Sequence, residues 1–272
     1  MNELQAVDQE KLNALLQQVG GGQAPDRVKI PFLKAHYDDH TFTNGDDVKK
    51  GWLILMVDGQ NIYASTMKLR VLAQHYQWRL GEKVAPYAVI NKSILMDDMR
   101  AEPRDMLGTM RCGRPNKNIW DEMSPDDRAP YRDIKCVRIL RGIASFTGKD
   151  SKGEDITISN APFQLFNNGM NFMGFESAIK QAKSSGKAHH EFWFDVTTKK
   201  EGKAWILEYK IDHATQTAWG SKEFETLEIF AEMAKVENSI VEKGYDASRQ
   251  SKSGAVDGIY EALADDLDAD FQ

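Results

Sequence analysis

Seven basic side chains, Arg128, Arg132, Lys135, Arg138, Arg141, Lys149 and Lys152, stand between positions 128 and 152, against two acids, Asp133 and Asp150. Arg111, Arg114 and Lys117 precede them with Trp120 and Tyr131 interleaved, and Lys199, Lys200 and Lys203 follow in a later polar segment. Cations at this density pair with phosphates, and aromatic faces between them accept unstacked bases at about 1–3 kcal/mol per base, the combination that a single-stranded nucleic acid requires. Solvated surface is the competing reading for scattered Lys and Arg. Alternation along 191–196 puts Phe192, Phe194 and Val196 on one strand face and Trp193 with Glu191 and Asp195 on the other, so Trp193 is expected to be an exposed stacking residue.

Two other constellations carry chemistry. Asp195 on one expected strand, Glu208-x-Lys210 on the next and Glu176 on the preceding helix look like the Asp, Glu-x-Lys set of a large nuclease superfamily, in which carboxylates hold Mg²⁺ and the lysine assists the attacking water. A cross-strand charge pair has the same spelling. His36 and His40, one helical turn apart, could join Cys112 and Cys136 around zinc, although neither cysteine belongs to a Cys-x-x-Cys pair and buried thiols explain them as well. Walker loops, dinucleotide glycine fingerprints and nucleophile elbows do not occur. The expectation is a binding protein without a cofactor, not an enzyme.

The elements that would position these residues can be read from periodicity. Leu12, Leu15, Leu16 and Val19 form a short amphipathic helix ended by Gly20–Gly22, an arm suited to self-association. Strands over 52–57 and 61–65 flank Asp58-Gly59, a hairpin turn signal. Residues 99–130 read as a long functional loop. A strand over 134–146, a basic turn at 147–154, a strand over 156–159 with a further one at 162–166, a helix over 174–183 and strands over 191–196 and 204–211 follow. That order suits an α+β, mainly β chain: a five-stranded Greek-key barrel of the oligonucleotide-binding (OB) type with a long insertion and flanking helices. Ser221 with Glu223 and Glu225 starts a last helix, expected to end at Lys243-Gly244 before a polar linker. The expected divisions are an arm at 1–45, a binding domain at 46–220, a helix at 221–243, and a disordered linker and tail at 244–272.

Residues 257–272 hold six acids and no base, while all 35 bases and 35 of the 41 acids of the 272-residue chain precede them. The net charge of −6 is thus concentrated in one segment, and a neutral body can carry a basic groove. Longer apolar runs of the kind that cross membranes are missing, and the first residues lack the pattern of a signal peptide, so a cytoplasmic location is expected.

A neutral body with basic, aromatic-bearing loops, a polar linker and the acidic tail Asp265-Asp266-Leu267-Asp268-Ala269-Asp270-Phe271 resembles single-stranded DNA-binding proteins of the phage-encoded replication type. The resemblance implies sequence-independent protection of single strands during replication, recombination and repair. It also implies that Asp265, Asp266, Asp268, Asp270 and Phe271 recruit replication or repair enzymes and compete with DNA. Gln272 follows Phe271, so recognition there would use the phenylalanine side chain rather than a terminal carboxylate. A metal-dependent nuclease and a virion or scaffold protein are the alternatives.

Overall fold

The computed structural model describes residues 30–81, 88–215, 217 and 219–252. Short strands β1 (Lys34–Ala35), β2 (His40–Thr41) and β3 (Asp47–Val48) lead into the hairpin β4 (Leu53–Val57) and β5 (Gln60–Ala64). Then come β6 (Met67–Gly81), β7 (Val89–Lys92), helix α1 (Lys117–Glu122), β8 (Ile134–Lys149), β9 (Asp155–Asn167), helix α2 (Gly174–Ser184), β10 (Trp193–Glu201), β11 (Ala204–Asp212) and helix α3 (Ser221–Lys252). The β4–β5 turn is the expected one, with Asp58 and Gly59 both at positive φ, 49° and 79°.

The architecture is α+β, built on a mostly antiparallel nine-stranded sheet in the order β1-β4-β5-β8-β6-β10-β11, with β7 added to β6 and β9 to β8. Its spine is the β6–β8 pair, in register from Lys68↔Ser145 to Leu80↔Ile134 with one bulge after Val71. Gly142 makes that pairing possible: a Cβ there would lie 2.0 Å from the Arg70 carbonyl oxygen. The sheet path is open, not a closed five-stranded barrel, and among the described residues its parallel contact is the bridge Phe32↔Gln164.

Both faces of the spine are covered. On one side Leu69, Val71, Leu140, Phe163, Leu165, Phe194 and Val196 pack against Phe175, Ala178, Ile179 and Ala182 of α2. On the other, α3 seats Phe230 on Leu72, Ile143 and Trp193, and Ala234 beside Val137, Ile139 and Phe166. A polar network joins the two apolar patches under α3. Glu237 accepts from Arg141 at 3.0 Å and Gln77 at 3.0 Å and pairs with Lys92 at 3.5 Å, while Arg141 also donates to Gln164 at 2.6 Å.

Several expected boundaries change. Residues 30–45 belong to the body: Leu33 enters the main core, and His36 and Phe42 are buried. The expected strands at 156–159 and 162–166 are one strand, β9, whose register shifts opposite Ser145 with Asn160 at φ 55°. α3 starts at Ser221 as expected but passes Lys243-Gly244 and continues to Lys252. Gly244 is not a cap; it lies against Met106, Ser248 Oγ donates to the Met106 carbonyl at 2.8 Å, and Arg104 stacks on Tyr245. The amphipathic arm and residues 257–272 lie outside the described residues.

Burial alone would raise the Glu237 pKa, but the Lys92 and Arg141 charges overcome it and bring it to about 2, below the ordinary 4.5. The folded value is the lower one, so this stabilisation is fully present above about pH 4.5 and is lost as pH falls toward about 2. Urea midpoints measured against pH should show an acid limb that Glu237→Gln flattens. Glu237→Ala, which leaves Arg141 buried without its partner, should destabilise by about 3–5 kcal/mol at neutral pH. Gly142→Ala, which drives a methyl into the Arg70 carbonyl, should destabilise by about 3 kcal/mol or more in the same assay.

Candidate nucleic-acid interface

The segment between β7 and β8 is organised by one buried carboxylate. Asp105, fully buried, accepts from Asn91 Nδ2 (3.0 Å) and from the backbone N–H groups of Leu107 (3.0 Å), Thr109 (3.3 Å) and Cys112 (2.8 Å), and from the Thr109 hydroxyl. These bonds hold Arg111 and Cys112 at φ 51° and 57°, a left-handed pair that non-glycine residues seldom adopt. Strain of this kind persists where the surroundings overdetermine it, and it clusters at functional sites. Its result is a sharp reversal that aims Arg111 and Arg114 at the same indole.

A ladder of alternating guanidinium and indole groups follows. Arg111 and Arg114 lie 5.6 and 5.1 Å from the Trp78 ring centroid, Arg114 lies 3.9 Å from that of Trp120, and Arg128 lies 5.2 Å from Trp120. Tyr131 meets Trp120 edge-on at 6.3 Å, and Arg114 also donates to the Ile134 carbonyl at 3.3 Å. Partial desolvation lowers the Arg114 pKa below its ordinary value, yet an arginine stays protonated, and desolvation strengthens its attraction to the rings. The outer end of the ladder opens into a depression of about 360 Å³. Arg114, Arg128, Arg132 and Lys135 supply its cations, Trp120 and Tyr131 its aromatic walls, and Pro125 and Ile134 apolar surface; among the described residues no acid lines it.

Arg114, Trp120, Tyr131 and Lys135 are thus brought together as the sequence pattern anticipated, and Lys117 stands nearby, exposed, at the first position of α1. The remaining cations are placed otherwise. Arg111 is buried, donating to the Ala101 and Arg100 carbonyls and pairing with Glu102 at 3.3 Å, so it supports the ladder from within. Arg138 and Arg141, each 2% exposed, are structural: Arg138 donates to Glu176 at 2.7 Å and to Tyr76 at 3.1 Å, and Arg141 is committed to Glu237. Lys149 and Lys152 sit at the far end of β8 from Lys135, roughly 45 Å away along a fully extended strand. Lys149 there pairs with Asp155 at 3.0 Å, and Lys152 is exposed in the β8–β9 turn. The segment 197–203 is a hairpin, not a loop: Lys199 and Lys200 lie on β10 and Lys203 in its turn, with Lys199 near Glu201 and Glu208 and Lys200 6.0 Å from the Trp205 ring.

Trp193 is the clearest correction. At 9% exposure it is part of the core beneath α3, packed with Ile30, Leu72, Ile143 and Phe230, because the strand face left over by α2 is covered by the last helix instead of facing water. The zinc set does not assemble either. His36 and His40 pack on Tyr63 at 5.7 Å each, whereas Cys112 and Cys136 belong to a cluster around Trp78, Met96 and Ile134 at the other end of β8. Burial pushes the Cys136 thiol up to about 11 and Cys112 higher still, so both are held as thiols. Asp195 and Lys210 are directly paired across β10–β11 with Glu208 two pairs further on, opposite Thr197, but Lys68 stands on the other side of Asp195 and Glu176 is turned to Arg138. Among the described residues no three His, Cys, Asp or Glu side chains gather as a metal site.

No protein-family model matches the chain, and neither curated proteins nor solved structures give a match. Arg128 and Arg132, counted in the basic stretch, also line the depression, and Trp78 joins those picked out by pattern; Asp105 had no signal of its own in a stretch rich in exposed acids, and only its burial distinguishes it.

Asp105→Ala strands an amide side chain and three backbone N–H groups at about 1–3 kcal/mol for each that finds no water. It should lower the unfolding midpoint and dissolve the ladder, read as loss of the near-ultraviolet circular dichroism of Trp78 and Trp120. Trp193→Ala should cost about 3–5 kcal/mol of stability through a core cavity.

Proposed function

We propose that the protein binds single-stranded DNA stoichiometrically and without strong sequence preference, through the depression at the outer end of the Arg–Trp ladder. The observation that carries this reading is the lining: four cations and two aromatic rings without a carboxylate. Phosphates pair with the cations while a base lies against Trp120 or Tyr131, an interaction that uses the π-face every base possesses and so is indifferent to sequence. On this reading the sheet is an opened relative of the OB barrel. Support comes from the placement of α2 before the last two strands, from β8 serving β5 and β6 on one edge and β9 on the other, and from the parallel bridge of Phe32 to Gln164.

By resemblance, the acidic segment with Asp265, Asp266, Asp268, Asp270 and Phe271 recruits replication or repair enzymes and competes with DNA for the cations, in the manner of phage-encoded single-stranded DNA-binding proteins acting in host cytoplasm. Ile259, Leu263, Leu267 and Phe271 recur every four residues between its acids, a spacing suited to folding as a short amphipathic helix on a partner.

Titration of fluorescent single-stranded and duplex DNA, with and without Mg²⁺ and with products run on a gel, tests the reading. Preferential binding of single strands that weakens steeply with salt is expected, with intact products. Trp120→Ala should weaken binding about tenfold, the scale of one stacked base, and abolish most tryptophan quenching. Removal of residues 257–272 should tighten binding at low salt. Mg²⁺-dependent cleavage lost in Glu208→Ala would instead support the nuclease reading, and assembly without DNA affinity the scaffold one.

A further inference from the structure

We infer a second stacking station for single-stranded nucleic acid, formed by Phe32, Phe166 and Arg79 and joined to the first through Lys135; it rests on the proposed function. Phe32 is a large aromatic held 39% exposed on a rigid backbone. The segment around it is clamped to β9 by two hydrogen bonds, Leu33 N–H to the Gln164 carbonyl and Gln164 N–H to the Pro31 carbonyl, both 2.8 Å. Alternation sends Leu33 into the core, and the Phe32 ring stands 5.0 Å from Phe166, tilted at 59°. The core does not require it there: Phe166 is already supported from beneath by Val137, Ile139 and Ala234.

The cations beside this ring pair are ordered as well. The Arg79 guanidinium lies 4.2 Å from the Phe166 centroid, and its Nε donates to Gln77 Oε1 at 2.7 Å, which fixes the plane of the group over the ring. Arg79 is directly opposite Lys135 on β8, and Lys135 is exposed and also lines the Trp120 depression. Lys34, two residues beyond Phe32, is a further exposed cation. The surface therefore runs from Trp120 and Arg114 through Lys135 and Arg79 to Phe166 and Phe32. Rings stand at its two ends with three cations between them, so bases can lie on the rings while the intervening phosphates pair with Arg114, Lys135 and Arg79. A single strand supplies both complements, bases for the rings and phosphates for the cations.

Thymidine oligonucleotides of about 4 to about 16 nucleotides, the range of site sizes seen for single OB-type domains, distinguish the two stations. Phe32→Leu keeps apolar packing on Phe166 while removing the aromatic face, and Phe32→Trp restores one with a fluorescent reporter. Phe32→Leu should match the wild-type chain on the shortest oligonucleotide and bind the longest about tenfold more weakly, the scale of one lost stack. Phe32→Trp should recover the affinity and be quenched only by the longer strands. Equal affinity of Phe32→Leu and wild type at every length, with clear wild-type binding, would overturn the second station and leave the first. A wild-type chain that binds no length would overturn both.

Discussion

The pairing of β6 with β8 is the constraint on which the rest of the molecule depends. Two strands of this length, hydrogen-bonded along almost their whole extent, present two broad faces, and both must be covered for the sheet to be stable. α2 covers one and α3 the other. Because Arg70, Arg138, Arg141 and Gln77 lie along the same strands, covering them removes polar groups from water, and the carboxylates of Glu176 for Arg138 and Glu237 for Arg141 answer that desolvation. The length of α3 follows from this requirement. Its first part reaches from the Trp193 patch across Arg141, and its last turns, from Gly244 on, close over Met106 and the segment that carries Asp105.

The same spine separates two kinds of cation that look alike in sequence. Those in the middle of β8 are internal ties with defined carboxylate partners. Those before it and at its start, from Arg114 through Lys135, lie where α1 and the Asp105 segment cover the strand only in part, and there aromatic rings rather than carboxylates accept the guanidinium groups. A ring partner leaves the positive charge unneutralised. That is why the ladder can attract an anion while the Glu237 network cannot.

The sheet edge beyond β10 is managed by side chains. On β11 the Leu207 N–H donates to Asn171 Oδ1 at 2.7 Å, and the Tyr37 hydroxyl both accepts from the Trp205 N–H and donates to its carbonyl, at 3.3 Å each. Groups that would otherwise template another strand are thereby occupied, which protects an edge nine residues long from pairing with a second chain. Asn171, in the segment between β9 and α2, thereby contributes its side chain to this protection.

Local signals were legible wherever one residue or a short period decides the structure. Asp58-Gly59 specifies its turn because two consecutive positive-φ positions suit few other pairs, alternation marked β8, β10 and β11, and Ser221 with Glu223 marked the start of α3. The association of Arg114, Trp120, Tyr131 and Lys135 was legible too, since they lie close in sequence. β6, the other half of the spine, was not: Arg70, Gln74, Gln77 and Arg79 interrupt its apolar pattern, and they fit a strand because tertiary neighbours supply partners, Glu237 of α3 for Gln77 and the His190 carbonyl for Arg70. Likewise Trp193 and Arg141 have the spelling of surface residues. What removed them from the surface was α3, folded back from far along the chain onto a face that strand alternation alone assigns to water. Alternation determines which residues share a face; only tertiary packing determines what covers that face.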